Sequence, residues 1–222
     1  MIDLEPLWLT AKLATITTVI LFFISVPFSY WLAYSKFKYK TAVEAIVSLP
    51  LVLPPSVLGF YLLLAFSPQN LFGKFLSDYF DIRLVFTFHG LIIASLIYSL
   101  PFMVNPIQSG FKSLPISLKE ASFTLGKSRF TTMVKILVPN IRSSLLSGLI
   151  MTFAHTIGEF GVVLMVGGSI PHETRLVSIE IYDEVQQMNY RDANIYAMIL
   201  IVTMFFMLLL VNIYNNKTKR AN

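Results

Sequence analysis

Apolar residues in this chain come in long blocks separated by short polar stretches. A helix that crosses a bilayer needs about 20 mainly apolar residues. Four blocks meet that length plainly: 9–34, 43–66, 85–109 and 193–214. A fifth, 141–166, is diluted by Ser143, Ser144, Ser147, His155 and Glu159, yet its apolar content still predicts a buried span. The pattern predicts an all-α integral membrane protein with about five transmembrane helices, organised as a single transmembrane domain over residues 1–222. Five spans place the two termini on opposite sides. Neither an internal repeat nor a low-complexity stretch is visible.

Composition agrees: 55% of residues are hydrophobic and 13% charged, against roughly 25% charged in soluble proteins. Nineteen Phe and ten Tyr suit aromatic anchors at the membrane interfaces. The absence of Cys excludes disulfides, thiolate metal sites and cysteine nucleophiles. Asp3 and Glu5 precede the first apolar run, so it lacks the basic start of a cleaved signal peptide.

The net charge of +5 would suggest nucleic acid in a soluble chain, but its distribution gives a different answer. Most of the cations follow spans one, three and five: Lys36, Lys38 and Lys40; Lys112, Lys119, Lys127, Arg129 and Lys135; Lys217, Lys219 and Arg220. Lys12, Lys74, Arg83, Arg175 and Arg191 on the other side are mixed with acids. Basic loops stay cytoplasmic, which predicts an outer N-terminus and a cytoplasmic C-terminus in the cell membrane, with no nucleic-acid partner.

The second span opens with Pro50, Pro54 and Pro55, each lacking a backbone donor. Backbone loosened in this way survives in a membrane only where protein covers it or a watery cavity adjoins it. Pro54, Pro55 and the following Ser56 are therefore candidate pathway residues, the alternative being a simple proline kink. In the fifth apolar block His155 and Glu159, four residues apart, share one helical face, with Thr152 nearby. Ionisable groups in a membrane point to function by default. Here a gate or pathway role stands beside a structural one, in which Glu159, next to Gly158 and Gly161, braces an interrupted helix. Two potential ligands are too few for a closed metal site, and no nucleophile is placed for catalysis. His89 and His172 fall at span or loop edges and receive no role.

The most informative polar stretch is Lys119 to Pro139, wedged between apolar blocks. Ser113 and Pro115 can start a short helix and Gly126 can end it in the left-handed conformation. A second helix begins near Ser128 and must end or kink before Pro139. The result is a compact cytoplasmic knob whose Ile116, Ala121, Phe123 and Leu125 offer apolar surface ringed by Lys119, Glu120, Lys127 and Arg129, a surface suited to a soluble partner. Gly126-Lys127-Ser128 matches the end of a phosphate-binding loop, but the position five residues before that glycine is Ala121 and no strand precedes it. ATP must then be handled by another chain. Between 167 and 192 an amphipathic run through Ile179, Ile181, Tyr182 and Val185 is expected to pack on the outer surface, beneath a partner, where Arg175 either steers an anion or is plain surface charge.

Glu120, Ala121, Ser122, Gly126, Ile136, Val138 and Pro139 stand at the offsets of the Glu-Ala-Ala loop in membrane subunits of binding-protein-dependent ABC importers, which this chain resembles. Ser122 replaces the second Ala and Val138 a Leu. The resemblance implies a type I ABC importer permease fold with cytoplasmic coupling helices, a knob at about 111–139 that docks on an ATPase, and ATPase-coupling roles for Glu120, Ala121, Ser122, Gly126, Ile136 and Pro139. It implies two ATPase chains, an extracytoplasmic substrate-binding protein, a homodimeric arrangement, no cofactor, and no enzymatic activity in this chain. Two stretches, SLPLVLPPSVLGFYLL at 48–63 and GEFGVVLMVGGSIPHETRLVSIEIYDEV at 158–185, are similar to the molybdate/tungstate branch, with His172 where Gly is usual and Leu176 where Thr is usual. That branch implies a tetrahedral oxyanion as cargo. Sulfate or thiosulfate is the nearest alternative, and a stand-alone secondary transporter or a membrane enzyme belong to other classes. No regulatory domain is expected after Asn222.

Overall fold

The structure is a computed structural model that describes residues 2–220. All regular elements among the described residues are helical. Helix α1 (Glu5–Tyr34) starts with Pro6 in its first turn, where an N–H would lack an intrahelical partner anyway, and stops at Ser35, whose backbone is extended. Helix α5 (Phe88–Ser113) is capped by Thr87, whose hydroxyl oxygen accepts from Gly90 N. Helix α12 (Tyr190–Arg220) closes the chain. These three are long and apolar enough to cross a membrane, and the number rises to five if each of two bent helix pairs counts as one span.

Both bent pairs have local causes. The 43–66 block forms α2 (Lys40–Ser48), a 3₁₀ turn at Leu49–Leu51 and α3 (Pro55–Phe66), with a 107° bend. Pro50 and Pro55 each take a first-turn position of a new helical piece, where proline is tolerated. The second pair bends by 81° between Arg129–Asn140 and α9 (Arg142–Ile157). Its break differs from the expected one. Pro139 lies inside the short helix α8 (Val138–Asn140), preceded by a π-helical turn at Met133–Leu137, and the turn comes at Ile141. The wide π turn is one of the few places a helix admits a proline ring without ending.

Beyond Ile157 the apolar run also breaks, at Gly158 to Phe160, before α10 (Gly161–Gly167). Helix α10 packs on α3 and α5. A Cβ at Gly59 would stand 2.8 Å from Met165 Cβ, and one at Gly161 2.8 Å from Pro55 Cβ, so glycine is what allows α3 and α10 to approach so closely. The remaining elements are α4 (Leu71–Phe80), α6 (Ile116–Thr124), α7 (Arg129–Thr132) and α11 (Val177–Gln186).

The centre is a three-helix packing of α1, α5 and α9. Small hydroxyl residues of α1 permit the approach, and Ser29 Oγ donates to the Val104 carbonyl of α5 at 3.1 Å. Leu21, Met103, Ile107, Phe111, Met133, Leu137, Ile141 and Leu145 form one buried cluster that includes the segment leading out of the knob. Phe111 is fully buried within it; truncation to Ala costs about 3–5 kcal/mol. The knob is thereby rooted in the helix core.

Candidate functional site

Two places gather the residues singled out by sequence. The first is a cleft of about 560 Å³ where the end of α9 and the start of α10 meet α3 and α5. It is lined by Pro55, Ser56, Tyr98, His155, Glu159 and Gly161 among others, so four of the six predicted pathway residues do come together. Pro54 is the exposed residue just before α3. Thr152 is fully buried one turn below His155 and lies outside the cleft lining.

Glu159 sits in the α9–α10 break and is buried. Ser95 Oγ of α5 donates to its Oε2 at 2.9 Å, and Ser178 Oγ of α11 donates to its main-chain oxygen at 2.6 Å. The break is therefore tied to two other helices through one residue. His155 is held by a chain of hydroxyls. Thr156 Oγ1 donates its single proton to the Thr152 carbonyl at 2.9 Å, so Ser99 Oγ must donate to Thr156 Oγ1 at 3.0 Å. Ser99 then accepts from His155 Nδ1 at 3.0 Å. This assignment leaves Nε2 as the acceptor nitrogen. Phe102 stacks on the imidazole at a centroid distance of 3.8 Å, and Tyr98 tilts against it at 4.6 Å. Among the described residues no Lys or Arg side chain lines the cleft. The cleft wall therefore offers hydroxyls and ring edges, with a carboxyl turned into the packing.

The α5 side of the cleft was missed by sequence reasoning. Ser95 and Ser99, four residues apart in an apolar span, are the signal that marks this face, with Tyr98 and Phe102 beside them.

The second place is the knob. Helix α6 follows Pro115 and leads to a turn in which Gly126 adopts φ +73° with open space around it. Gly126 N donates to the Phe123 carbonyl and Lys127 N to the Ser122 carbonyl, closing the helix end. Ser128 caps α7 by accepting from Thr131 N at 3.2 Å. Glu120, Ala121 and Leu125 are exposed, as is Phe130, which the sequence reading did not single out. Ser122, grouped with Glu120 among the expected coupling residues, does not share its exposed side. It is buried and bonded to Thr132 Oγ1 at 2.8 Å, joining α6 to α7. Ile136 is half-buried against the core cluster.

In the segment 167–192 Arg175 is already engaged. Its Nε donates to Ser169 Oγ at 3.1 Å and lies 3.6 Å from Glu180 Oε2, so it is a tie within the loop. Thr174 is fully buried and donates to the Gly167 carbonyl at 2.7 Å. His172 adopts φ +64° and pairs with Glu5; Leu176 is fully buried beside Leu9 and Leu13.

Residues 25–221 match the family described as binding-protein-dependent transport system inner membrane component. The chain is 41% identical, over 99% of its own length and 96% of the relative's, to the molybdenum transport system permease protein ModB of Azotobacter vinelandii. It is 30% identical over 83% of its length to the sulfate transport system permease protein CysT of Salmonella typhimurium, covering 66% of that protein. The fold is that of a bacterial alginate ABC transporter solved in complex with an alginate-pentasaccharide-bound periplasmic protein: TM-score 0.77 at 18% identity, covering 95% of this chain and 77% of that one.

Proposed function

This chain belongs to the family of binding-protein-dependent transport system inner membrane components, and from that premise we propose that it is the permease subunit of an ABC importer for molybdate or tungstate. It is a multi-pass membrane transport component, and the energy for transport comes from a separate ATPase subunit. The observation that carries the cargo assignment is the 41% identity to a molybdenum permease across nearly the whole of both chains, against 30% to a sulfate permease over a shorter stretch.

The cleft supports an oxyanion as a transient guest. Hydroxyl groups offer weak donors, no cation traps the anion, and Glu159 braces the helix break. Affinity then resides in the extracytoplasmic binding protein, and the permease supplies passage. We place the N-terminus outside and the knob in the cytoplasm on the charge distribution. Two copies form one pathway, served by two ATPase chains that receive the knobs. ATP-driven closure draws the knobs together, and the rooted core cluster turns the helices so that the cleft opens outward.

The test is reconstitution with the partner ATPase and the cognate binding protein in proteoliposomes. Molybdate- or tungstate-loaded binding protein is expected to stimulate hydrolysis and uptake; a clear preference for sulfate overturns the cargo assignment.

A further inference from the structure

At the end of α1 remote from Trp8, the last turns of the helix and the knob enclose a second pocket of about 330 Å³. Its walls include Tyr30, Trp31, Tyr34, Lys36, Lys119 and Arg129. Lys119 Nζ stands 4.2 Å over the Tyr34 ring, and the Tyr34 hydroxyl is committed to the Phe111 carbonyl at 2.9 Å. Among the described residues none of the three cations takes part in an ion pair. Burial and the neighbouring Arg129 hold the Lys119 ammonium below its usual range, Lys36 adding to this and the exposed Glu120 opposing it. Like charges gathered around a cavity favour an anion inside it.

The chemistry of the walls narrows the anion. A guanidinium fork and two ammonium groups suit a phosphate, which accepts several charge-assisted hydrogen bonds at once. Depth narrows it further. Helix α1 ends at Tyr34, so the pocket lies where a membrane-crossing helix leaves the hydrocarbon. Tyr30, Trp31 and Tyr34 are the residue types that sit at headgroup level, and basic pockets at that level receive anionic headgroups. Soluble phosphate would gain nothing from the aromatic half of the wall.

We propose that this pocket binds a phosphate-bearing anion, the headgroup of an anionic phospholipid in the surrounding leaflet, bridging the end of α1 to the knob through Lys36, Lys119 and Arg129. The bound lipid would tighten the joint between α1 and α6–α7, making the firmness of the knob sensitive to lipid composition. The proposal rests on α1 crossing the membrane and stands apart from the identity of the cargo.

The chain has two tryptophans, Trp8 and Trp31, so Trp8→Phe leaves Trp31 as the reporter in the pocket. The permease–ATPase complex is reconstituted in bilayers containing brominated phosphatidylglycerol or brominated phosphatidylcholine, and Trp31 quenching is measured. Stronger quenching by the anionic lipid is expected. Neutralising each of Lys36, Lys119 and Arg129 to Gln should lower that preference about fivefold. Lys127→Gln, an equal loss of charge in the exposed loop, should leave it unchanged. If millimolar inorganic phosphate alters Trp31 emission and the lipid preference is absent, the site holds but its occupant is a soluble anion. Equal quenching by both lipids with no response to phosphate overturns the proposal, as does lipid quenching that appears only when the ATPase is removed, which would give the pocket to the ATPase.

Discussion

Ser95 and Glu159, 64 residues apart in sequence, meet at 2.9 Å across the cleft wall, the hydroxyl donating to Oε2. The bond fastens the α9–α10 break to α5, and among the described residues Glu159 Oε1 has no hydrogen-bond partner. If the carboxyl is a brace, its hydrogen-bonding shape matters and its charge does not. Glu159→Gln keeps an acceptor for Ser95 and should fold and transport near the parent level. Glu159→Leu and Ser95→Ala should each destabilise by about 1–3 kcal/mol. Thermal unfolding of the detergent-solubilised variants, with uptake measured beside it, checks the brace. Transport abolished in Glu159→Gln with stability intact would make the charge itself part of the pathway.

The knob divides into a face and a hinge, and substitutions should sort accordingly. Glu120 is exposed, so Glu120→Arg should leave folding unchanged while uncoupling hydrolysis from uptake. Ser122→Ala leaves Thr132 Oγ1 still donating to the Ser128 carbonyl, so only about 0.5–1.5 kcal/mol is lost and coupling persists. Gly126 has open space, so Gly126→Ala costs only the left-handed backbone, about 1–2 kcal/mol. ATPase rates with and without loaded binding protein, and unfolding temperatures, separate the three.

Glu180 gives a pH dependence. Burial raises its carboxyl above the usual range, Arg175 opposing and Glu184 and Asp183 adding to the rise. With the folded value above the unfolded one, the native state holds the proton more tightly. Stability of the segment around α11 therefore falls as pH rises through the window between the unfolded and folded values, and levels above it. Amide exchange over α11 should show that fall in the parent and its loss in Glu180→Gln.

Apolar length alone sufficed for α1, α5 and α12, and the Ser-Pro-Gly punctuation sufficed for the knob, because both signals are local. The prolines at 50, 54 and 55 marked the broken segment before α3. Gly158 and Gly161 marked the interruption before α10, but its seat against α3 and α5 was not legible, because Val162, Val163 and Val166 continue an apolar run whatever the helix packs on. What seats it is contact across sequence: Gly59 against Met165, Gly161 against Pro55, and Ser95 reaching Glu159. The break at Ile141 was misplaced to Pro139 because a π turn accommodates the ring, and nothing in the residue types announces that turn.

His172 and Leu176 depart from the pattern of the molybdate/tungstate branch, and both occupy positions with structural explanations. His172 sits at φ +64°, where a glycine pays no steric penalty, and its side chain is largely exposed in the pair with Glu5. An exposed pair contributes little, so His172→Gly should stabilise by about 0.5–1 kcal/mol. Leu176 is fully buried among Leu9, Leu13 and Ile179, so Leu176→Thr should cost about 1–3 kcal/mol by burying a hydroxyl in an apolar cluster. If these positions serve the fold, neither substitution changes the ranking of molybdate over sulfate in competitive uptake, even where the amount of folded protein changes. A reversal of that ranking in Leu176→Thr, measured on equal amounts of folded transporter, would turn the segment 167–192 from a structural cover into part of the cargo filter.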